Sequence, residues 1–275
     1  MKVWTLVEAL FPGVDPGRVG WYGLVVALLL AALWQSPASP AALGRADADL
    51  ARGDAAAAAQ RYDDIARVNP LAALREEALY RAALVWEVDL RAPRQARSRL
   101  ERLAAQASDP ERCAEAHVRI GKIALLSEAD PGEAARHFLL ARDRVPDSDQ
   151  APQRTMLAAR ALAEGGQLAG ARALWVGLTE SSPEHEGTAR LALAELALTE
   201  GDAQEALALY EEAEFQVHDP AQQALARLGA ATCLERLGNL DEALAELDQI
   251  ELPDSVRHTR IEALRARRSV GGGAL

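Results

Sequence analysis

Apolar positions along most of this chain recur three and four residues apart, which is the spacing of one face of an α-helix. Residues 200–213 read EGDAQEALALYEEA: a Gly-Asp pair, then Ala206 and Tyr210 four positions apart among charged residues. Because residues four apart lie on the same side of a helix, this stretch predicts a helix with one packed face and one solvated face.

The arrangement of residues 200–213 recurs along the chain. An alanine begins the packed face of each copy, and successive alanines are separated by 38, 38, 37, 35 and 37 residues. A large apolar residue follows each alanine one turn later. The alanines are Ala58, Ala96, Ala134, Ala171, Ala206 and Ala243, and the large residues are Tyr62, Leu100, Phe138, Trp175, Tyr210 and Leu247. Self-similarity at this period predicts an array of six helix pairs.

Each recurring position has a physical reason. Glycine ends the first helix of a pair where the chain turns with a positive φ, and the Asp or Asn after it can cap the second helix. A small residue on the first helix lets the two backbones approach closely. The predicted turn glycines are Gly53, Gly166, Gly201 and Gly238, the predicted caps are Asp54, Asp202 and Asn239, and the small residues are Ala46, Ala83, Gly121, Ala159, Ala194 and Ala231.

These positions together resemble the tetratricopeptide repeat. The resemblance covers residues 41–253, and the units here are longer than the typical 34 residues. It implies an all-α fold: a right-handed superhelical solenoid of about six helix pairs. After it, residues 254–270 read as a capping helix over the open apolar end of the array, and residues 271–275 as a disordered tail.

An uncharged apolar run precedes the repeats. Residues 19–34 read VGWYGLVVALLLAALW, and at ~1.5 Å per residue they reach about 24 Å, against ~30 Å of hydrocarbon in a bilayer. Trp21, Tyr22 and Trp34 bracket the run as aromatic residues bracket a membrane span. We therefore predict a transmembrane anchor at 19–35, with an amphipathic segment at 1–18 before it and a linker at 36–40 after it. A cleaved signal peptide is the alternative.

The basic residues near the predicted span indicate its orientation. Lys2 and Arg18 precede it closely, whereas Arg45 and Arg52 follow at a greater distance, so the positive-inside rule places the N-terminus in the cytoplasm. Nearly all basic residues are arginines, which we take as typical of a GC-rich bacterial genome. The sequence thus predicts a single-pass protein of the bacterial inner membrane with a periplasmic repeat domain.

The charge of the chain and the motifs in it limit the classes of function that we expect. The net charge of −11 argues against a nucleic-acid partner, since no basic face appears along the repeats. The chain has no phosphate loop, Rossmann glycine pattern, HExxH or nucleophile elbow, so we predict no enzymatic activity, no cofactor and no metal. Cys113 and Cys233 are about three units apart, too far for a disulfide. His137 is expected to be a partly exposed packing residue.

The resemblance implies that the first helix of each pair lines a concave, partner-binding face. The residues predicted there are Tyr80, Leu84 and Glu87, then Val118, Lys122, Met156 and Arg160, then Leu191, Glu195, Thr232 and Glu235. Few of them are cations, so the terminal-carboxylate clamp known in the family is not expected. An apolar strip edged by charges of both signs favours an amphipathic helix or an extended segment of another protein.

Two functions remain open from the sequence. One is a membrane-anchored scaffold or adaptor, which the resemblance to anchored periplasmic repeat proteins places in envelope assembly, secretion or folding. The other is a fixed accessory subunit of a membrane complex, held through the N-terminal segment and its span.

Overall fold

A computed structural model describes residues 36–39, 41–250 and 261–262. Within them the chain forms twelve α-helices and no β-strand. The helices are α1 (Ala42–Ala51), α2 (Ala55–Val68), α3 (Ala72–Leu84), α4 (Pro93–Gln106), α5 (Pro110–Ser127), α6 (Pro131–Arg144), α7 (Ala151–Glu164), α8 (Leu168–Ser181), α9 (Glu186–Glu200), α10 (Ala203–Gln216), α11 (Pro220–Leu237) and α12 (Leu240–Asp248). The predicted solenoid of six helix pairs is confirmed.

Among the described residues the helices fall into two compact units, one up to residue 116 and the other from residue 117 onward. The N-terminal unit contains α1 to α4 and the start of α5. The C-terminal unit contains the rest of α5 and continues to α12. None of the described helices is both long and apolar enough to cross a membrane, and the predicted anchor at 19–35 lies outside the described residues, as does most of the predicted capping helix.

The recurring alanines form the contact between the two helices of each pair. All six are fully buried, and the large residue one turn later is at most 4% exposed in every pair. The small residues on the first helices are buried as well. At Gly121 on α5, a β-carbon would lie 2.7 Å from the Phe138 ring on α6. The prediction that a small residue permits close helix approach is therefore confirmed in atomic detail.

The turns within the pairs follow the glycine prediction. Gly53, Gly166, Gly201 and Gly238 have φ values between +73° and +93°, a region that a side chain would resist. Asp54 accepts a hydrogen bond from the Ala57 amide at 3.0 Å, and Asp202 accepts one from the Glu205 amide at 2.9 Å.

The predicted cap at Asn239 is wrong. Its side chain makes no cap hydrogen bond to the backbone of α12. The amide nitrogen Nδ2 donates to Glu242 Oε2 at 3.4 Å instead. An amide offers donors as well as an acceptor, and here the glutamate of the first turn takes the donor.

Residues inserted beyond the repeat length form short helical turns. A π-helical turn, Val85–Asp89, follows α3, and a 3₁₀ turn, Pro183–His185, precedes α9. The four described residues of the predicted linker, 36–39, pack on the first pair. Asn69 Nδ2 donates to the carbonyl of Pro37 at 3.0 Å, and Arg45 Nη2 donates to that of Ser36 at 2.8 Å. The chain is therefore held against α1 and α2 before the repeats begin.

Both cysteines are buried and free, as the spacing of the units predicted. Burial raises the pKa of the Cys233 thiol, which keeps it protonated and unreactive at neutral pH.

The prediction that His137 is partly exposed is wrong, because the residue is only 5% exposed.

His137 is buried because it is hydrogen-bonded across the helix pair. Its Nδ1 lies 2.9 Å from Nδ1 of His117 on α5, and its Nε2 lies 2.9 Å from Arg136 Nη2. Glu133 Oε1 also lies 3.3 Å from His137 Nε2. Burial, followed by the positive charge of His137, Arg136 and Arg144, lowers the pKa of His117 to about 4.

The glycine at the α5–α6 contact gives a packing prediction. Gly121→Ala should lower the free energy of unfolding, because overpacking against the buried Phe138 ring costs ~1–3 kcal/mol and outweighs the ~0.5–1 kcal/mol that alanine gains in a helix. The matched control is Gly177→Ala in α8, where a β-carbon meets nothing within 4 Å, and it should be stabilising. Urea denaturation measures both. Equal stabilisation by the two substitutions would contradict the close-packing account.

The histidine pair gives a pH prediction. Unfolded His117 takes up a proton near its ordinary pKa of about 6.5, whereas folded His117 does so only near pH 4. The unfolded state therefore binds more protons between these values, and stability should fall as the pH drops from about 6.5 to 4. His117→Gln should flatten this part of the stability profile measured by urea denaturation. An unchanged profile would mean that other groups cause it.

Candidate partner-binding faces of the first helices

The first helices of the N-terminal unit are joined by a ladder of ion pairs. Arg81 Nη1 on α3 lies 2.7 Å from Asp47 Oδ1 on α1 and 2.7 Å from Oδ2. Arg81 Nε lies 2.6 Å from Glu77 on the same helix. Arg112 on α5 continues the ladder, with Nη2 at 2.7 Å from Glu77 Oε2 and Nη1 at 3.6 Å from Glu115. Charges of opposite sign thus alternate from α1 to α5.

Two tyrosines complete this ladder. Tyr62 donates its hydroxyl hydrogen to Asp47, and Tyr80 donates to Glu115. The guanidinium carbon of Arg112 lies 5.0 Å from the centre of the Tyr80 ring, within cation–π range. Burial raises the pKa of Tyr62 to about 12, with Asp47 as the next cause. The hydroxyls of both tyrosines are therefore engaged inside the unit.

The pKa of Asp47 reflects the same contacts. Burial would raise it, but the hydrogen bonds from Tyr62 and Arg81 lower the pKa below its ordinary value. The carboxylate is therefore charged at neutral pH and held by two neighbours. Of the predicted partner-binding residues in this unit, Tyr80 belongs to the ladder, Leu84 ends α3, and Glu87 lies in the π-helical turn.

The C-terminal unit presents an open groove. Its volume is about 490 Å³, and its walls come from α7, α9 and α11, the first helices of three successive pairs. Apolar residues supply most of the lining: Ala163, Leu168, Trp175, Leu191, Ala192, Leu196 and Leu225. The charged residues of the groove are Arg160, Glu164 and Glu195. We call this cavity the α7–α9–α11 groove.

The repeat explains why Arg160 and Glu195 reach the groove. Each directly follows the small buried residue of its first helix, Ala159 or Ala194. One residue turns a helix by about 100°, so the small residue faces the second helix while its successor faces away. Both charged side chains are exposed. Lys122 occupies the same register on α5, after Gly121, and is also exposed.

The charges of Arg160 and Glu195 are not neutralised by ion pairs. Within the described part of the chain, Arg160 and Glu195 make no salt bridge, with each other or with any other residue. Glu195 acts electrostatically on Tyr210, whose pKa is raised to about 12 by burial first and then by this carboxylate. The groove therefore offers a cation and an anion to a binding partner.

The structure separates the predicted partner-binding residues into different places. Arg160, Leu191 and Glu195 meet in the α7–α9–α11 groove. Glu235 lines a separate cavity of about 590 Å³ on α11 and the start of α12, together with Thr232. Met156 is half-buried against the core around Trp175.

The predicted apolar strip is less exposed than the sequence implied. Leu191 is 5% exposed and packs with Tyr210 and Ala194. Val118 is partly buried against the core that contains Phe138. Both side chains therefore serve mainly to pack the helices, although Leu191 also forms part of the groove floor.

Sequence reasoning missed several groove residues. Trp175 belongs to a second helix and was taken only as a core residue, yet it lies at the groove floor. Thr188 and Leu225 stand six positions before the small residues Ala194 and Ala231 in consecutive repeats, and both line the groove. This shared register was a signal in the sequence that could have found them.

Comparison with known proteins agrees with this geometry. Family models of the tetratricopeptide repeat match residues 156–222 and residues 197–267. Residues 156–267 of the chain therefore match the tetratricopeptide repeat. The α7–α9–α11 groove thus lies within the part of the chain that these models match. No curated protein matches the sequence.

Solved structures share the fold of these repeats. The C-terminal part of a TPR repeat-containing protein from Cytophaga hutchinsonii superposes with a TM-score of 0.61 at 14% identity, over 82% of this chain and 86% of that one. PilF of Pseudomonas aeruginosa has a TM-score of 0.51 at 17% identity, over 81% and 96%. PilW, a widely conserved type IV pilus biogenesis factor, has a TM-score of 0.50 at 17% identity, over 76% and 90%.

Proposed function

We propose that this protein is a membrane-anchored scaffold that binds a segment of another protein in the α7–α9–α11 groove. The observation that carries the proposal is an open groove with an apolar floor and two oppositely charged side chains that make no ion pair with any described residue. Such a site gives a partner both apolar area to bury and charges to match.

The N-terminal unit is a less suitable place for the same kind of binding. Its first helices already satisfy their charges through the ladder from Asp47 to Glu115. A partner that replaced these contacts would leave charged groups without their present partners, which costs free energy. We therefore place the main contact in the C-terminal unit and assign Tyr80 a secondary role.

The arrangement favours binding over catalysis. The groove holds single charged side chains separated by apolar ones, whereas covalent catalysis requires a nucleophile next to a base that activates it. We accordingly propose a non-enzymatic role, in which a few large side chains such as Leu225 provide most of the binding energy.

The membrane setting of the proposal comes from the sequence. The apolar run at 19–35 would anchor the protein in the bacterial inner membrane, with its N-terminus in the cytoplasm and the repeats in the periplasm. The packing of residues 36–39 on α1 and α2 supports a fixed junction between anchor and repeats. A role in envelope protein assembly is our proposal, and the pilus biogenesis factor PilW shares only the fold with this chain.

Photo-cross-linking tests where the partner binds. A benzophenone amino acid at Leu225, which is 44% exposed in the groove, should capture a discrete partner in native membranes. The same amino acid at Val176, 41% exposed on the second helix α8, is the matched control and should capture several-fold less. Immunoblotting followed by mass spectrometry measures both. Equal capture at the two positions would contradict binding in the groove.

Purification with and without cross-linking distinguishes the two roles left open by the sequence. A fixed accessory subunit should co-purify with its complex in constant ratio in mild detergent. A scaffold or adaptor should retain its client only after cross-linking.

Fractionation tests the anchor. The full-length protein should stay with membranes after a high-salt wash and should keep the N-terminal sequence beginning at or near Met1. A mature N-terminus at Ser39 or Ala41 would show that residues 19–35 are a cleaved signal peptide. Labelling of a cysteine introduced at Ala38, which is exposed, by an impermeant maleimide in spheroplasts would support a periplasmic repeat domain, and protection of this cysteine would place the domain in the cytoplasm.

A further inference from the structure

Opposite charges on neighbouring helices of this protein usually pair across the repeats. In the N-terminal unit, Asp47 on α1 pairs with Arg81 on α3, and Asp63 on α2 pairs with Arg99 on α4 at 2.7 Å. In the C-terminal unit, Arg172 on α8 pairs with Glu205 on α10 at 2.8 Å. Pairing of this kind links equivalent surfaces of consecutive helix pairs.

Arg160 and Glu195 do not follow this rule. They stand in equivalent positions on α7 and α9, have opposite charges, and line the same cavity, yet their charged atoms are not within ion-pair distance of each other. The groove lies open between them. A bound segment can therefore meet each charge with one of its own.

We propose that the segment bound in the groove carries an acidic side chain for Arg160 and a basic side chain for Glu195, so that it binds in a single direction. This rests on the proposed function of the groove. Arg160 and Glu195 stand on different helices, so the two charged residues of the segment are separated along its chain. Apolar side chains of the segment face Leu191 on α9 and Leu225 on α11.

Two further charged residues, Lys122 and Glu164, have to be considered for the direction of binding. Lys122, in the same register on α5, extends the positive side beyond Arg160. Glu164, one turn after Arg160 on α7, is a second acid in the groove, but it is not in the register shared by Arg160 and Glu195. We therefore assign the direction to Arg160 and Glu195, and Glu164 serves as the control.

Peptide selection tests the inference without knowledge of the natural partner. A display library of random twelve-residue peptides is selected on the immobilised full-length protein and on the double variant Arg160→Glu/Glu195→Arg. The first selection should enrich one order of acidic and basic residues, and the double variant should enrich the reverse order. Glu164→Gln should select the same order as the parent. Thermal melts of the variants serve as the control, and the melting temperature should stay close to that of the parent.

The affinity of single peptides gives the second measurement. A peptide selected on the parent should bind the double variant about tenfold more weakly, since two attractive contacts become repulsive. Exchanging the acidic and basic residues of the peptide should restore binding to the double variant.

The outcomes separate the inference from the proposed function. Peptides whose binding is abolished by Leu225→Arg but which show no preferred charge order would overturn the inference and leave groove binding intact. Selection of no peptide sensitive to Leu225→Arg would overturn both. Reversal of the charge order by the double variant would establish both.

Discussion

The close approach of two helices at a small residue is the constraint on which the rest of this structure depends. Each pair buries an alanine against its first helix, and the large residue one turn later fills the space beside that contact. At Gly121 the fit leaves no room for even a methyl group beside Phe138. Because this contact fixes the rotation of every first helix about its axis, it also fixes which residue faces away from the pair. The exposed positions of Lys122, Arg160 and Glu195 follow directly from it.

The two units use the same exposed register in different ways. In the N-terminal unit, Asp47 takes this position, pairs with Arg81 and accepts a hydrogen bond from the hydroxyl of Tyr62. In the C-terminal unit, Glu195 takes it fifteen residues before Tyr210, the same separation as between Asp47 and Tyr62, and makes no ion pair with any described residue. The residue after the small one is thus ion-paired within the N-terminal unit at Asp47, whereas at Glu195 in the C-terminal unit it remains available to a partner.

The sequence predicts the helix pairs well because small and large apolar residues must alternate for the pairs to form at all. It predicts the turns at Gly53 and Gly201 correctly, since few residues other than glycine adopt a positive φ. It predicts side-chain pairing poorly. Asn239, His137 and Leu191 were each assigned from their own position, while their outcomes depend on Glu242, His117 and Tyr210, residues on a facing helix or one turn away. The α7–α9–α11 groove combines three repeats, so no single copy of the motif could reveal it.

The groove and the core share residues, and this determines how binding can vary without loss of the fold. Trp175 forms part of the groove floor, yet it is 1% exposed and packs against Ala159 and Ala171, so it cannot change without disturbing the helix contact. Arg160 and Glu195 are exposed and make no ion pair within the described residues, so they can change at little cost to stability. Changes of partner in such an array are therefore expected at the residue after the small one, where the sequence is free, and not at the floor, where packing fixes it.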